Sequence, residues 1–207
     1  NDKVIKVFDF GTTDDGRFYE LMEYLAGGTL DKYLPIKDTS KLKKMVKDVA
    51  DGLEFCHKNG IIHKDIKPSN IFLRDGNSDQ YVLGDFGISS LFDSEDRLQV
   101  TSQARSDLYA APEMYISRDG RIMITPGIDY YALGLSLIYI WNNKNPFKGI
   151  NEMVIPQLKL DGQVKPPEDM PKDFATLVRG LIVSDPKKRW GYDEVQRYLN
   201  GEKVEVF

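Results

Sequence analysis

The run His63-Lys64-Asp65-Ile66-Lys67-Pro68-Ser69-Asn70 decides how this chain is read. It gathers an imidazole, a carboxylate, two ammonium groups and a carboxamide over a few residues. A second carboxylate follows in Asp85-Phe86-Gly87. Asp65 and Lys67 suit the handling of a hydroxyl and a phosphoryl group. Asn70 and Asp85 are oxygen ligands of the kind that Mg²⁺ takes. Pro68 argues against helix, so the run is expected to be a loop. Asp85 comes just after the apolar run Tyr81-Val82-Leu83 and is expected at a strand end.

Upstream of the run, Leu42, Met45, Val46, Val49, Leu53 and Cys56 fall on one face of a helix. Asp38, Thr39 or Ser40 can cap its start, and Asn59-Gly60 is a suitable left-handed stop. His57 reads as a plain residue at the helix end. Further upstream, Val4 to Phe10 and Phe18 to Tyr24 read as strands across a turn at Thr12 to Gly16. Two strands alone are marginal in water, so they are expected to join a larger sheet or to lie on the rest of the chain. Thr29 is expected to cap a short helix that ends at Pro35.

Downstream, Ile71-Phe72-Leu73 and Tyr81-Val82-Leu83 predict a short hairpin. From Ile88 to Tyr109 the sequence is polar and aperiodic, and a loop of that length is usually functional. Ile128 to Trp141 is apolar nearly all round, the mark of a helix buried on every side. Two more helices are expected around Phe174 to Ile182 and Val195 to Leu199. After residue 90 no convincing strand is seen. The fold class is therefore α+β overall, mainly α: a scrap of sheet followed by a helical body.

The chain has 207 residues, 41% hydrophobic and 29% charged, with a net charge of −4. That supports a real core, and the interspersed signs give no reason to expect nucleic acid or an anionic membrane as partner. The most apolar run is shorter than the roughly 20 residues that span a bilayer, so no membrane insertion is expected in this segment. The single cysteine, Cys56, cannot form an internal disulfide; a small core residue in a reducing, cytoplasmic setting is expected. The chain opens on Asn1 directly in an apolar pattern, which leads to the expectation of an excerpt from a longer protein.

An ordered set of motifs resembles the eukaryotic-type (Hanks-type) serine/threonine protein kinases. His63-x-Asp65-x-Lys67-x-x-Asn70 resembles the catalytic loop and Asp85-Phe86-Gly87 the metal-binding motif. Ala111-Pro112-Glu113 resembles the end of the activation segment. Asp129-x-Tyr131-x-x-Gly134 is similar to the buried helix that anchors the catalytic loop, and Asp185-Pro186 with Arg189 to the closing helical region. Each tripeptide alone is weak; the full series in family order is very hard to reach by accident.

The resemblance implies a protein-kinase-like C-terminal helical lobe with the last strands of the N-terminal lobe. Residues 1–25 would be the remnant of that lobe and its hinge, 26–200 the catalytic lobe, and 201–207 a tail or linker. It implies ATP and Mg²⁺ as cofactors and a protein substrate with a Ser or Thr acceptor. Asp65 would accept the hydroxyl proton and Lys67 would neutralise the γ-phosphoryl group. Asn70 and Asp85 would hold Mg²⁺. Met22, Glu23 and Leu25 would form the adenine-binding hinge, with Phe72 as an apolar floor. His63 would pack beneath Phe86 rather than act as a base. Glu113 and Arg189 would be a buried ion pair, and Asp129 would hold the backbone of the His63–Asp65 turn.

Lys67 implies the serine/threonine class. Ser106 stands where that class usually has Thr. Ser102, with Thr101 beside it, matches the usual phosphosite. Lys64 replaces the usual Arg and loses its bidentate fork, which weakens the expected clamp on a phosphorylated loop. Thr29, Ser69 and Tyr139 stand where arginine-directed members are acidic, so no strong preference for basic residues before the target hydroxyl is expected. The glycine-rich loop, the strand lysine and its helix glutamate have no counterpart in these residues, and this excerpt alone is expected to transfer phosphate poorly. A pseudokinase-type binding or regulatory module is the alternative, weighed against by the presence of Asp65, Asn70 and Asp85. A small-molecule phosphotransferase fits less well, because the Ala-Pro-Glu segment shapes a groove for protein.

Overall fold

A computed structural model describes residues 1–76, 79–86, 90–91, 98–99, 108–118 and 121–207 of the chain. In chain order the elements are β1 (Val7–Thr12), β2 (Phe18–Met22), α1 (Thr39–Lys58), β3 (Ile61–Ile62), β4 (Ile71–Leu73), β5 (Tyr81–Leu83), β6 (Ser90–Leu91), β7 (Leu98–Gln99), β8 (Ser117–Arg118), β9 (Arg121–Met123), α2 (Gly127–Asn142), α3 (Ile155–Leu160), α4 (Lys172–Leu181) and α5 (Tyr192–Leu199). The mainly helical α+β expectation holds.

Helix α1 starts where Asp38 Oδ1 accepts from the Ser40 and Lys41 amides, at 2.9 and 3.2 Å. It stops at Asn59, followed by Gly60 at φ +73°. Its apolar face is buried as the spacing predicts, from Leu42 through Cys56. Burying one such side chain is worth about 1.5–3 kcal/mol. Burial also pushes the Cys56 thiol up to about 11, with Asp129 acting in the same direction. Asp48 lies on the same buried face, which the sequence gives no reason to expect. Its carboxylate pairs with Lys3 at 3.2 Å and accepts the Tyr81 amide at 3.1 Å, so α1 holds the start of β5.

Helix α2 is buried along almost its whole length, from Ile128 to Trp141. It ends at Asn143, which adopts a left-handed conformation. Gly134 on α2 lies against α4 and its end: a Cβ there would come within 2.6 Å of Ile182 Cγ2 and 2.9 Å of Leu181 Cβ. Only a residue without a side chain permits that approach. Helix α5 is tied to α1 by Tyr192 Oη and Gln196 Nε2, which donate to Asp51 Oδ1 at 3.1 and 3.0 Å. The segment after α5 returns to the body, where Trp190 Nε1 donates to Glu205 O at 2.8 Å.

Three expectations need correction. Pro68–Asn70 form a 3₁₀ turn rather than a plain loop, because proline is tolerated at the first position of a helical turn. The segment after Thr29 is likewise a single 3₁₀ turn, Leu30–Tyr33, and the Thr29 side chain makes no cap bond. Short strands do occur after residue 90: β6 pairs with β3, and β7, β9 and β8 form a three-stranded sheet in that order. Strands of two or three residues are too short to leave a periodic signal.

The hairpin β1–β2 also differs from expectation. It forms a two-stranded ribbon, and Phe8, Phe10 and Phe18 remain 64–68% exposed. Backbone bonds just before it hold it in place of burial: Ile5 N donates to Leu83 O at 2.7 Å and Leu83 N to Lys3 O at 2.8 Å. The β4–β5 hairpin forms as expected, with Phe72 opposite Val82.

Candidate active site

The His63–Asn70 run hangs between β3 and β4 and is held from below by α2. Asp129 Oδ2 accepts the His63 amide at 3.0 Å and Oδ1 the Lys64 amide at 2.8 Å. Two turns further along the same helix, Ser136 Oγ lies between Ala132 O at 2.8 Å and Ile66 O at 3.2 Å. These bonds hold Lys64 at φ +67°, a conformation that costs a non-glycine residue about 1–3 kcal/mol. Lys64 is half-buried, and desolvation lowers its ammonium pKa while Asp129 opposes the shift. Asp85, at φ +60°, is the second residue held in this region.

His57, expected to be a bystander, is the second support of Asp129. Its Nε2 lies 2.8 Å from Asp129 Oδ2, and its ring meets Tyr130 edge-on at 5.8 Å. Burial alone would raise the Asp129 carboxyl. The His57 bond, the nearby imidazoles of His57 and His63 and the His63 amide outweigh it and hold the carboxyl below its ordinary value of 3.8. A depressed folded-state value means that the carboxylate stabilises the fold above the unfolded value and loses that contribution as pH falls further. In urea melts at graded pH, Asp129→Asn should therefore be destabilised at neutral pH and show a shallower acid loss below about 3.8 than the unsubstituted protein.

His63 is scaffold, as expected. Its Nδ1 accepts the Asp65 amide at 3.3 Å, so Nε2 carries the proton and donates to Gly84 O at 3.1 Å. The ring packs on Phe86 with centroids 4.6 Å apart. Both nitrogens are thereby engaged.

The structure brings Asp65, Lys67 and Asn70 onto one point. Asp65 Oδ2 accepts from Lys67 Nζ at 2.6 Å and from Asn70 Nδ2 at 2.9 Å. Asn70 Nδ2 also bonds Asp65 O at 2.8 Å. Both nitrogen contacts of Asn70 thus point back to Asp65, and its Oδ1 lies 3.5 Å from Ser69 Oγ. Gly84 N donates to Asn70 O at 3.0 Å, which sets the residue before Asp85 against the loop.

The expected hinge residues divide. Leu25 is buried with Ile5 and Val82, and Phe72 and Phe86 pack on that cluster. Leu25 and Phe72 therefore meet in one apolar floor beside the loop. Met22 closes β2 opposite Val7 and is partly exposed. The Glu23 carboxylate accepts the Lys6 amide at 3.0 Å and Arg74 at 3.2 Å. Gly27 follows because a Cβ there would lie 2.6 Å from Leu73 O and Asp75 O.

Ala111-Pro112-Glu113 leads into a 3₁₀ turn, Pro112–Tyr115. Glu113 and Arg189 form the expected buried pair, bidentate at 2.7 and 2.8 Å. The expected activation-segment residues Thr101, Ser102 and Ser106, and Gly87 of the metal motif, lie outside the described residues.

A loop carrying a carboxylate, an ammonium and a carboxamide on one point, anchored to a buried helix, and a segment locked by a Glu–Arg pair, together define a class. The chain belongs to the protein kinase domain family, whose model matches residues 1–199. Among curated relatives it is 29% identical over 198 residues to serine/threonine-protein kinase SIK1 of Rattus norvegicus, covering 94% of this chain and 24% of that protein. It is 29% identical to probable serine/threonine-protein kinase MARK-C of Dictyostelium discoideum, over 89% of this chain and 23% of that protein. Similarity to NUAK family SNF1-like kinase 1 of Homo sapiens is 26% over 94% of this chain and 29% of that protein. The chain thus spans about a quarter of the length of the curated relatives it matches.

Proposed function

We propose that this chain forms the catalytic lobe of an ATP- and Mg²⁺-dependent protein kinase that phosphorylates Ser and Thr hydroxyls. The observation that carries the reading is the convergence of Lys67 and Asn70 on Asp65 Oδ2, at 2.6 and 2.9 Å. Phosphoryl transfer needs positioning and charge neutralisation more than covalent chemistry, and this cluster supplies both. Asp65, with Oδ2 beside Lys67, orients the acceptor hydroxyl and takes its proton on the carboxylate. Lys67, already beside that oxygen, offsets negative charge on the group in transfer.

Asn70 Oδ1 and the Asp85 carboxylate fit Mg²⁺: the donors are oxygens, and they are few, as suits an ion that keeps bonds to substrate phosphates. Bound there, Mg²⁺ would supply positive charge to the phosphates. Leu25 and Phe72 provide the apolar floor for adenine, with Met22 and Glu23 on the strand that leads to it. Residues 1–25 would then close the nucleotide site from the small-lobe side, 26–200 would form the large lobe, and 201–207 would lead away from it, in a cytoplasmic setting.

Thr101, Ser102 and Ser106 are assigned by the resemblance to the segment that governs acceptor access. Thr29, Ser69 and Tyr139 put no carboxylate where a basic substrate residue would be read. The test is transfer from ATP to matched Ser, Thr and Tyr peptides by the complete protein. Ser and Thr peptides are expected to be phosphorylated and the Tyr peptide is not, with no gain from upstream arginines. Equal use of Tyr would overturn the assignment of class.

A further inference from the structure

Lys159, on the short helix α3, has no exposed surface. A lysine is almost never fully buried unless its ammonium is held by partners. Its Nζ donates to Ala110 O at 2.8 Å, Leu108 O at 3.0 Å and Tyr115 Oη at 3.4 Å. The rings of Phe147 and Tyr115 lie 5.3 and 5.5 Å from Nζ. An ammonium carries three N–H donors and no acceptor, and the two shorter bonds land on the backbone just before Ala111-Pro112-Glu113. The Lys159 backbone is fixed in turn: Ser184 Oγ donates to Lys159 O at 2.6 Å. Ser184 O accepts from Arg189 Nη2 at 3.2 Å, and Arg189 holds Glu113.

We propose that Lys159 is a positioning residue for the protein acceptor. Resting on the kinase reading above, it fixes the carbonyls of Leu108 and Ala110 and so sets the wall of the groove that receives the residues beside the target hydroxyl. Two buried cations then bracket the segment: Lys159 holds its backbone and Arg189 holds its carboxylate. An apolar substitute would fill the space, since Met is close to Lys in length, but would leave both carbonyls without a donor. The segment would keep its Glu113 tether and lose its shape. Lys159 touches no part of the nucleotide floor formed by Leu25 and Phe72, so the effect falls on the acceptor alone.

The test is Lys159→Met in the complete protein, read in two ways. Steady-state kinetics should show KM for an acceptor peptide raised about tenfold, with KM for ATP unchanged. Hydrogen exchange should speed up at the amides of 108–115 while those of α2 stay protected. Lys159→Gln, which keeps a donor, should fall between the two proteins and serves as the probe if the Met variant does not fold. Unchanged peptide KM together with unchanged exchange at 108–115 overturns the proposal. If no variant, and not the parent, phosphorylates any peptide, the kinase reading fails; the exchange measurement still decides what Lys159 holds.

Discussion

Asp65→Asn should reduce kcat for peptide phosphorylation by about 10³-fold, within the range that a general base contributes. The substitution keeps the shape of the side chain and one oxygen. It removes the negative charge that Lys67 and Asn70 converge on, and it removes the proton acceptor. The backbone bond from Asn70 Nδ2 to Asp65 O remains, so the loop should stay folded. KM for ATP is expected to stay within about threefold, because the apolar floor at Leu25 and Phe72 is untouched. A loss of nucleotide affinity with kcat preserved would place Asp65 in binding and remove it from the chemistry.

The second large effect is expected at Arg189, whose donors are all engaged. Nε donates to Val183 O at 2.8 Å, Nη1 to Glu113 Oε1 and Gly127 O at 2.7 and 2.9 Å, and Nη2 to Glu113 Oε2 and Ser184 O at 2.8 and 3.2 Å. The guanidinium also lies 4.9 Å from the Tyr131 ring centroid. Arg189→Met leaves a buried carboxylate without its partner and should destabilise the fold by about 3–5 kcal/mol in denaturant melts. Lysine is no substitute, since it lacks the planar fork. Glu113→Gln should cost less, because it keeps one acceptor and leaves Arg189 its carbonyl partners. The double variant should cost less than the sum of the two singles, since residues in contact are coupled. Strict additivity would mean that the pair does not act as a unit.

The parts of this molecule that were legible in the sequence are those whose cause is local. Helix α1 shows its buried face every third and fourth residue, and α2 is apolar all round because it is covered all round. Asp65, Lys67 and Asn70 were legible because they lie within one short run; their convergence needs only one 3₁₀ turn, Pro68–Asn70. The ion pair of Glu113 and Arg189 was reached through resemblance, since nothing local links residues 76 positions apart.

What escaped has a common physical origin. His57 supports Asp129 from 72 positions away, and a histidine at a helix end looks the same whether or not a carboxylate faces it. Asp48 and Lys159 are charged residues on helices, a pattern that ordinarily means a solvated face; only the fold brings Lys3 and Tyr81 to the one and the carbonyls of Leu108 and Ala110 to the other. The strands after residue 90 span two or three residues, too short for a pattern even where β8 and β9 form a local hairpin, and β7 depends on β9, far along the chain. Pro68 misled because its lost N–H matters inside a helix and not at the first position of a turn.

The measurement that bears most directly on the central claim is a count of phosphates transferred per molecule of the complete protein, with ATP and Mg²⁺ supplied and a Ser or Thr peptide as acceptor. The account predicts repeated turnover by the parent protein and near-complete loss in Asp65→Asn. Nucleotide bound without any transfer to peptide would contradict it, and would mark the Asp65–Lys67–Asn70 cluster as part of a binding module.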